Sequence, residues 1–208
     1  MLAAGLGTAT ANTLAQAYPS RLIRIVVAFS PGGVPDILAR VLAKEMQGSL
    51  GQSVVVDNRP GGGGVIGADA VAKAPTDGYT VILITSNHII TPPALSSSLR
   101  HIKDFAAVAT LVSTEQVLVL HPSVAANNLQ ELIALAKLKP GQFNYASAGS
   151  AGVPHLLGEM FNILARTRMT HVPYKGSAPA IADLMGAHVQ MFITQTLNSL
   201  NLQSLAGL

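Results

Sequence analysis

Cysteine and tryptophan are absent from this chain of 208 residues, and aromatic side chains make up only 4% of it. Without thiols there is no disulfide framework and no thiolate metal site. With so few rings, any core must be assembled from Ala, Val, Ile and Leu, and a hydrophobic fraction of 49% makes that feasible. Charge is scarce too, at 11% of residues with a formal net charge of +3. That balance argues against a disordered polyelectrolyte. The basic residues are spread thinly and are not interleaved with aromatics, which argues against a nucleic-acid partner. No apolar run approaches the roughly 18 residues a membrane span requires. No His, Asp and Glu cluster has metal-ligand spacing, so neither a metal nor a cofactor is expected.

What is present begins with an uncharged, Ala-rich N-terminus. Residues 1–17 end in Ala15-Gln16-Ala17 before Tyr18-Pro19, the small-residue pattern of a signal peptidase site. The positive n-region is missing, so the segment reads as the distal part of a secretory signal, implying an exported protein. The alternative is a loose apolar leader on a cytosolic one.

From Tyr18 onward, short β-branched runs alternate with helical periodicity. Strands are predicted at Ile23–Phe29, Ser53–Asp57, Tyr79–Ile84, Val117–Leu120, Phe143–Ser147, Met169–Val172 and His188–Ile193. A helix from Asp36 to Gln47 would present Ile37, Leu38, Val41, Leu42 and Met46 on one face. A second presents Leu129, Leu132, Ile133 and Ala136, with Asn128 as its N-cap and Glu131 completing a capping box. Further helices are predicted over Val153–Arg166 and Ser177–Gly186. Such alternation predicts an α/β fold with parallel sheets covered by helices. The pattern weakens between Ser86 and Glu115, which divides the chain into lobes of residues 18–114 and 115–208.

Ligands of open α/β sheets bind beyond the carboxyl ends of strands. Four loops qualify: Ser30–Pro35, Thr85–Thr91, Ser147–Pro154 and Pro173–Ser177. In the first, Ser30, Pro31, Gly32 and Gly33 turn a strand into a helix whose first N–H groups lack intrahelical partners, a ready site for a carboxylate or phosphate. The same residues also read as a plain βα turn. Ser147, Ala148, Gly149 and Ser150 repeat this logic, with His155 at the start of the following helix as a candidate ligand contact or a capping residue. Thr85, Ser86 and Asn87 close the third strand of the first lobe. Lys175 offers a cation and Tyr174 a wall, or else a surface Lys beside a half-buried Tyr. Asp36 either meets a ligand or pairs with Arg40 along the helix.

Two other patterns compete. Ala148-Gly149-Ser150-Ala151-Gly152 nearly matches the G-x-S-x-G nucleophile elbow, with Asp183 and His188 following, which makes an α/β serine hydrolase using Ser150 the alternative of a different class. Gly62-Gly63-Gly64-Val65-Ile66-Gly67 formally fits a dinucleotide fingerprint, but Asn58-Arg59-Pro60 separates it from its strand. A structural loop is the better reading of it.

Taken in order, several segments resemble the substrate-binding receptors of tripartite tricarboxylate transporters, the Bug receptors. They include Ile25-Val-Val-Ala-Phe-Ser-Pro-Gly-Gly33 with Asp36, Asp57-Asn-Arg-Pro-Gly-Gly-Gly-Gly64, and Asp77-Gly-Tyr-Thr80. Asn144-Tyr-Ala-Ser147 with His155, and His171-Val-Pro-Tyr-Lys-Gly-Ser-Ala-Pro-Ala180, extend the series. The resemblance implies a two-lobed fold of the periplasmic binding protein type (type II), with a ligand cleft between the lobes. It implies a periplasmic monomer that captures a small carboxylate, delivers it to membrane transporter subunits, and performs no chemistry. Its ligand would be held mainly by backbone groups of the Ser30–Gly33 and Ser147–Ser150 loops. Beyond Phe192 the quoted pattern is lost, so a C-terminally truncated member is expected, incomplete in both lobes. A non-functional receptor fragment is the further alternative.

Overall fold

The computed structural model describes residues 17–86, 88, 104–196 and 198; residues 1–16 of the candidate signal segment and Asn87 lie outside them. Two sheets organise the described chain. The first has the order β2-β1-β3, all parallel, from β1 (Ile23–Val27), β2 (Val54–Asn58) and β3 (Thr80–Leu83). Central β1 is buried at Ile23, Ile25, Val26 and Val27, as expected of a strand with a neighbour on either side and cover on both faces.

Helix α1 (Val34–Leu50) carries Pro35 in its first turn and ends at Gly51, whose left-handed conformation (φ 65°) returns its N–H to Gln47 O. This is the usual way of satisfying a terminal carbonyl. The helix is rotated from the predicted orientation. Ala39 and Ala43 face the sheet, with Leu42 and Met46 beside them, while Ile37 and Val41 are 44% and 58% exposed. The reason is Asp36, only 3% exposed, whose hydrogen bonds pin the first turn and bring the 36–39–43 face inward. After β2, a short 3₁₀ turn at Gly62–Gly64 leads into α2 (Val65–Ala72).

The second sheet has the order β4-β7-β5-β6, from β4 (Gln116–Leu120), β5 (Asn144–Ser147), β6 (Thr170–Pro173) and β7 (Met191–Gln195). It is not wholly parallel. β5 runs parallel to β6 and β7, but β4 pairs antiparallel with β7, Leu118 opposite Ile193. An edge strand can join a parallel sheet in this sense without a crossover helix. Period-2 alternation splits the core between the sheet's faces. Tyr145, Met191 and Ile193 pack with Leu132 and Ala136 of α3 (Leu129–Leu138) and with Leu157 and Phe161 of α4 (Val153–Ala165). Ala146 and Phe192 pack with Ala180 and Leu184 of α5 (Ser177–Met185).

Asn128 caps α3 as predicted, accepting from Glu131 N at 2.9 Å. The return bond differs from a standard capping box: Glu131 accepts from the amide of Asn127, at 2.7 Å, and from the Asn128 side chain. No described helix is long and apolar enough to cross a membrane, and no described cluster of His, Asp and Glu could hold a metal ion. The fold is thus a two-lobed α/β architecture with strand-to-helix loops facing each other between the sheets.

Candidate functional site

The first loop is stiffened by a buried carboxylate. Asp36 Oδ2 accepts from Gly32 N at 2.9 Å and Arg40 Nε at 3.0 Å, while Oδ1 accepts from Asn58 Nδ2 at 3.0 Å and lies 3.0 Å from an Arg40 amino nitrogen. Burial works to raise its pKa, but the bonds from Arg40, the Gly32 amide and Asn58 outweigh that and hold the carboxyl below its usual value. Asn58 also donates to Phe29 O at 3.1 Å, tying the end of β2 to the loop that follows β1.

Neutral groups stiffen the second loop. Ser147 is fully buried; its hydroxyl donates to Gly149 O at 2.8 Å and lies 2.6 Å from His171 Nε2. Since the hydroxyl's one proton goes to a carbonyl, the His171 nitrogen is the donor in the second bond. His155 stacks on His171 with ring centroids 3.9 Å apart, and its Nδ1 accepts from Ala151 N at 3.0 Å. Tyr145 lies under the same pair and donates to Glu159 at 2.6 Å. Burial, helped by His155 and opposed by Glu159, pushes the His171 pKa down to about 4. Burial and the Glu159 carboxylate raise that of the Tyr145 phenol.

The loops meet directly. Ser30 donates both its amide and its hydroxyl to Lys175 O, each at 3.0 Å. Gly63 (φ 65°) and Gly149 (φ 143°) face each other backbone to backbone. A Cβ on Gly63 would stand 2.7 Å from Ser150 O, and one on Gly149 would stand 3.1 Å from Gly63 Cα. Only residues without side chains permit that approach.

Two cavities lie at this junction and share Phe29 and Ala148 in their walls. The outer one, about 340 Å³, is bounded by Gly61–Gly64, by Gly149 and Ser150, and by Tyr174 and Lys175. Its size is that of a small-molecule site. The inner one, about 30 Å³, lies against the first turns of α1 and α4, at Gly33, Pro35 and Pro154, and against Thr85 and Ser86. Gln116, Thr194 and Asn198 close its far side. Tyr174 is held at the outer wall by Asp183, to which its hydroxyl donates at 2.5 Å; burial and that carboxylate push the Tyr174 pKa up to about 12.

Of the residues singled out in the sequence, Gly33, Thr85, Ser86, Ala148, Gly149, Ser150, Tyr174 and Lys175 line one cavity or both. Ser30, Pro31, Gly32, Asp36, Ser147 and His155 line neither. The geometry gives most of these six other tasks. Ser30 bridges the lobes, Asp36 accepts the Gly32 amide inside the first loop, and Ser147 and His155 hold the second. Gly61–Gly64, Gln116, Thr194 and Asn198 were not singled out for ligand contact. The glycine run carried a signal, an unbroken series of permissive residues, but its distance from β2 obscured it. His88 is another addition: its Nδ1 contacts the amide and hydroxyl of Thr85 at 3.3 Å, and its ring stands edge-on to Phe29. The hydrolase arrangement is not assembled. Asp183 pairs with Tyr174 and, at 3.5 Å, with His188. Among the described residues, no hydrogen bond or ion pair links Asp183 or His188 to Ser150.

A sequence model described as the tripartite tricarboxylate transporter family receptor matches residues 38–204. The match continues past Phe192, so the family pattern does not stop where the motifs alone suggested. Protein BugT of Bordetella pertussis is 42% identical over 181 residues, covering 84% of this chain and 55% of that protein. The periplasmic binding protein BugD superposes with a TM-score of 0.84 at 33% identity, covering 91% of this chain and 64% of the other. An R. palustris protein solved with adipate gives 0.83 at 32% identity, over 91% and 64%. The chain therefore spans a little over half the length of the curated relative, and about two thirds of these solved structures. With the motif order, the two-lobed fold and the family match in agreement, the chain belongs to the tripartite tricarboxylate transporter receptor family.

Proposed function

We propose that this chain is the ligand-gripping part of an extracytoplasmic receptor that captures a small carboxylate for a tripartite tricarboxylate-type transporter. One observation carries the reading: two strand-to-helix turns from different lobes abut each other, and the first turns of α1 and α4 form walls of the same cavity. Both helices have Pro in the first turn and begin at a glycine with no side-chain cap. The positive ends of both helix dipoles therefore lie at this cavity and favour an anion there. Lys175, in the wall of the outer cavity, adds a cation at the other end. Adipate in a structural relative fits the same chemistry.

On this reading Gly33, Ala148, Gly149 and Ser150 meet the ligand through backbone groups, with Thr85, Ser86, Tyr174 and Lys175 around it. Ser30, Gly32, Asp36, Ser147 and His155 keep the two turns in shape, and closure is a hinge motion between lobes of residues 18–114 and 115–208. The protein acts by binding, without chemistry, outside the cytoplasm and as a monomer.

Calorimetric titration of the folded chain with mono-, di- and tricarboxylates tests this. Saturable binding to at least one supports it, and a well-folded preparation that binds none ends it. A serine-directed fluorophosphonate is expected to leave Ser150 unlabelled; labelling lost in Ser150→Ala would instead favour the hydrolase.

A further inference from the structure

The two lobes treat their cations differently. Five of the six described Lys and Arg side chains of the first lobe, Arg21, Arg24, Arg40, Arg59 and Lys73, pair with an Asp carboxylate. In the second lobe Lys137, Lys139, Arg166 and Arg168 are exposed, and none of them makes an ion pair among the described residues.

The fold gathers these four at one corner. Helices α3 and α4 cover the same face of the second sheet, and each ends shortly before the next strand, β5 or β6, begins. The amide of Gly141, just after α3, donates at 2.7 Å to the carbonyl of Arg168, just after α4. The corner thus lies at the starts of β5 and β6, whereas the cleft lies beyond their ends. No Asp or Glu occurs in residues 132–158 or 160–182. The acids that flank those stretches, Glu131 and Glu159, are engaged elsewhere, by Asn127 and Asn128 and by Tyr145.

Apolar side chains stand among the cations. Leu138, Ile163 and Leu164 are 78%, 73% and 78% exposed, and Met160 stands exposed one turn back on α4. The backbone adds a second sign. Arg166 ends α4 in the left-handed conformation (φ 54°), its N–H returning to Asn162 O and Ile163 O. Glycine is the relaxed choice at such a position, because a Cβ is disfavoured there. An arginine holds it with no carboxylate beside it, so the use of its charge points outside the fold.

We propose that this corner is a docking surface for an anionic lipid bilayer. The aliphatic chains would enter the headgroup region while the four long cations stay level with the lipid phosphates. The chemistry suits a bilayer better than a protein. The exposed side chains include no aromatic ring, the type enriched in protein interfaces. None of the four cations is held in the fixed geometry that a particular carboxylate would require. The proposal goes beyond the carboxylate reading and does not depend on it.

Cosedimentation of the full chain with vesicles tests it, using phosphatidylcholine alone and phosphatidylcholine mixed with phosphatidylglycerol. Binding is expected to the mixed vesicles and not to the neutral ones. It should weaken at least about tenfold as salt rises from about 0.1 M to about 1 M, where screening shortens from about 10 Å to about 3 Å. Arg166→Gln combined with Arg168→Gln is expected to reduce partitioning at least about tenfold, at roughly fivefold per cation, and to flatten the salt dependence. Leu164→Gln should lower it about tenfold while keeping that dependence. Arg166→Gly separates docking from folding: the melting temperature should rise while vesicle binding falls. Carboxylate titration should be unchanged in every variant.

Equal binding to both kinds of vesicle overturns the inference. So does binding to neither, which would leave an acidic protein surface as the partner of this corner. Binding to anionic vesicles that survives in the double arginine variant overturns it as well, and assigns the contact to another part of the chain, such as the apolar residues 1–17. In each case the carboxylate titration decides the receptor reading separately.

Discussion

The two lobes brace equivalent turns with opposite chemistry. In the first, an ionised carboxylate, Asp36, gathers a backbone amide, a guanidinium and a side-chain amide. In the second, an uncharged set does the work: the Ser147 hydroxyl, the His171 imidazole and His155 stacked upon it. Both keep a glycine-rich turn in a shape from which its following helix presents the positive end of its dipole. The difference teaches that a binding turn needs a fixed backbone more than a particular residue to fix it. The two solutions should nonetheless fail under different conditions.

The largest effect is expected on the charged side. Asp36→Ala removes the buried acceptor shared by Arg40, Asn58 and the Gly32 amide, several charge-assisted hydrogen bonds lost at a combined cost of about 3 kcal/mol in stability. A thermal melt that moves by only a degree or so would show that the first turn holds without it. The neutral side is broken from below by Gly158→Ala. A Cβ there would stand 2.2 Å from the Tyr145 ring, and Tyr145 is fully buried beneath His171. Overpacking of this kind costs about 2 kcal/mol. Denaturant unfolding should report it, and preserved stability would mean that the Tyr145 ring has room to move.

Acid separates the two braces. The His171 pKa falls from an ordinary 6.5 to about 4 in the fold, so between those values the unfolded chain binds a proton that the folded chain does not. Stability therefore declines as pH drops from 6.5 toward 4. Asp36 has a depressed carboxyl pKa; its contribution is complete above its usual value of 3.8 and disappears only as pH falls through the lower folded value. The second turn should thus loosen first. Melting temperatures measured from pH 7 to 4 should fall in the wild type and fall less in His171→Gln. Identical profiles would remove the contrast.

The smallest effect is expected away from both turns. Asn128→Ala removes the cap of α3 at a cost of about 1 kcal/mol and should leave carboxylate affinity unchanged. A loss of affinity would mean that the second turn depends on helices well outside its own bracing.

Much of the fold was legible because it follows from local pattern. All seven predicted strands form, within a few residues of their expected ends, and the Asn128 cap is where the spacing put it. The orientation of α1 was less accessible. Periodicity favours large apolar residues for the inward face, whereas a buried, hydrogen-bonded Asp36 turned Ala39 and Ala43 to the sheet. The antiparallel sense of β4 was likewise invisible, since a strand's own sequence does not encode the direction of its neighbour. In the site, strand-end loops were readable from Gly, Pro and Ser. The facing of Gly63 and Gly149 was not, because their positions are 86 apart in sequence and meet only across the cleft.

What the sequence determined by itself is the alternation of strand and helix, the permissive turns between them, and the family to which their order belongs. These depend on interactions within a few residues, which composition and period reveal. Tertiary structure alone decided which turn residues face a cavity and which brace it. It also brought Gln116, Thr194 and Asn198 into one cavity wall, because burial and hydrogen-bond satisfaction are properties of what surrounds a side chain and not of the chain that carries it.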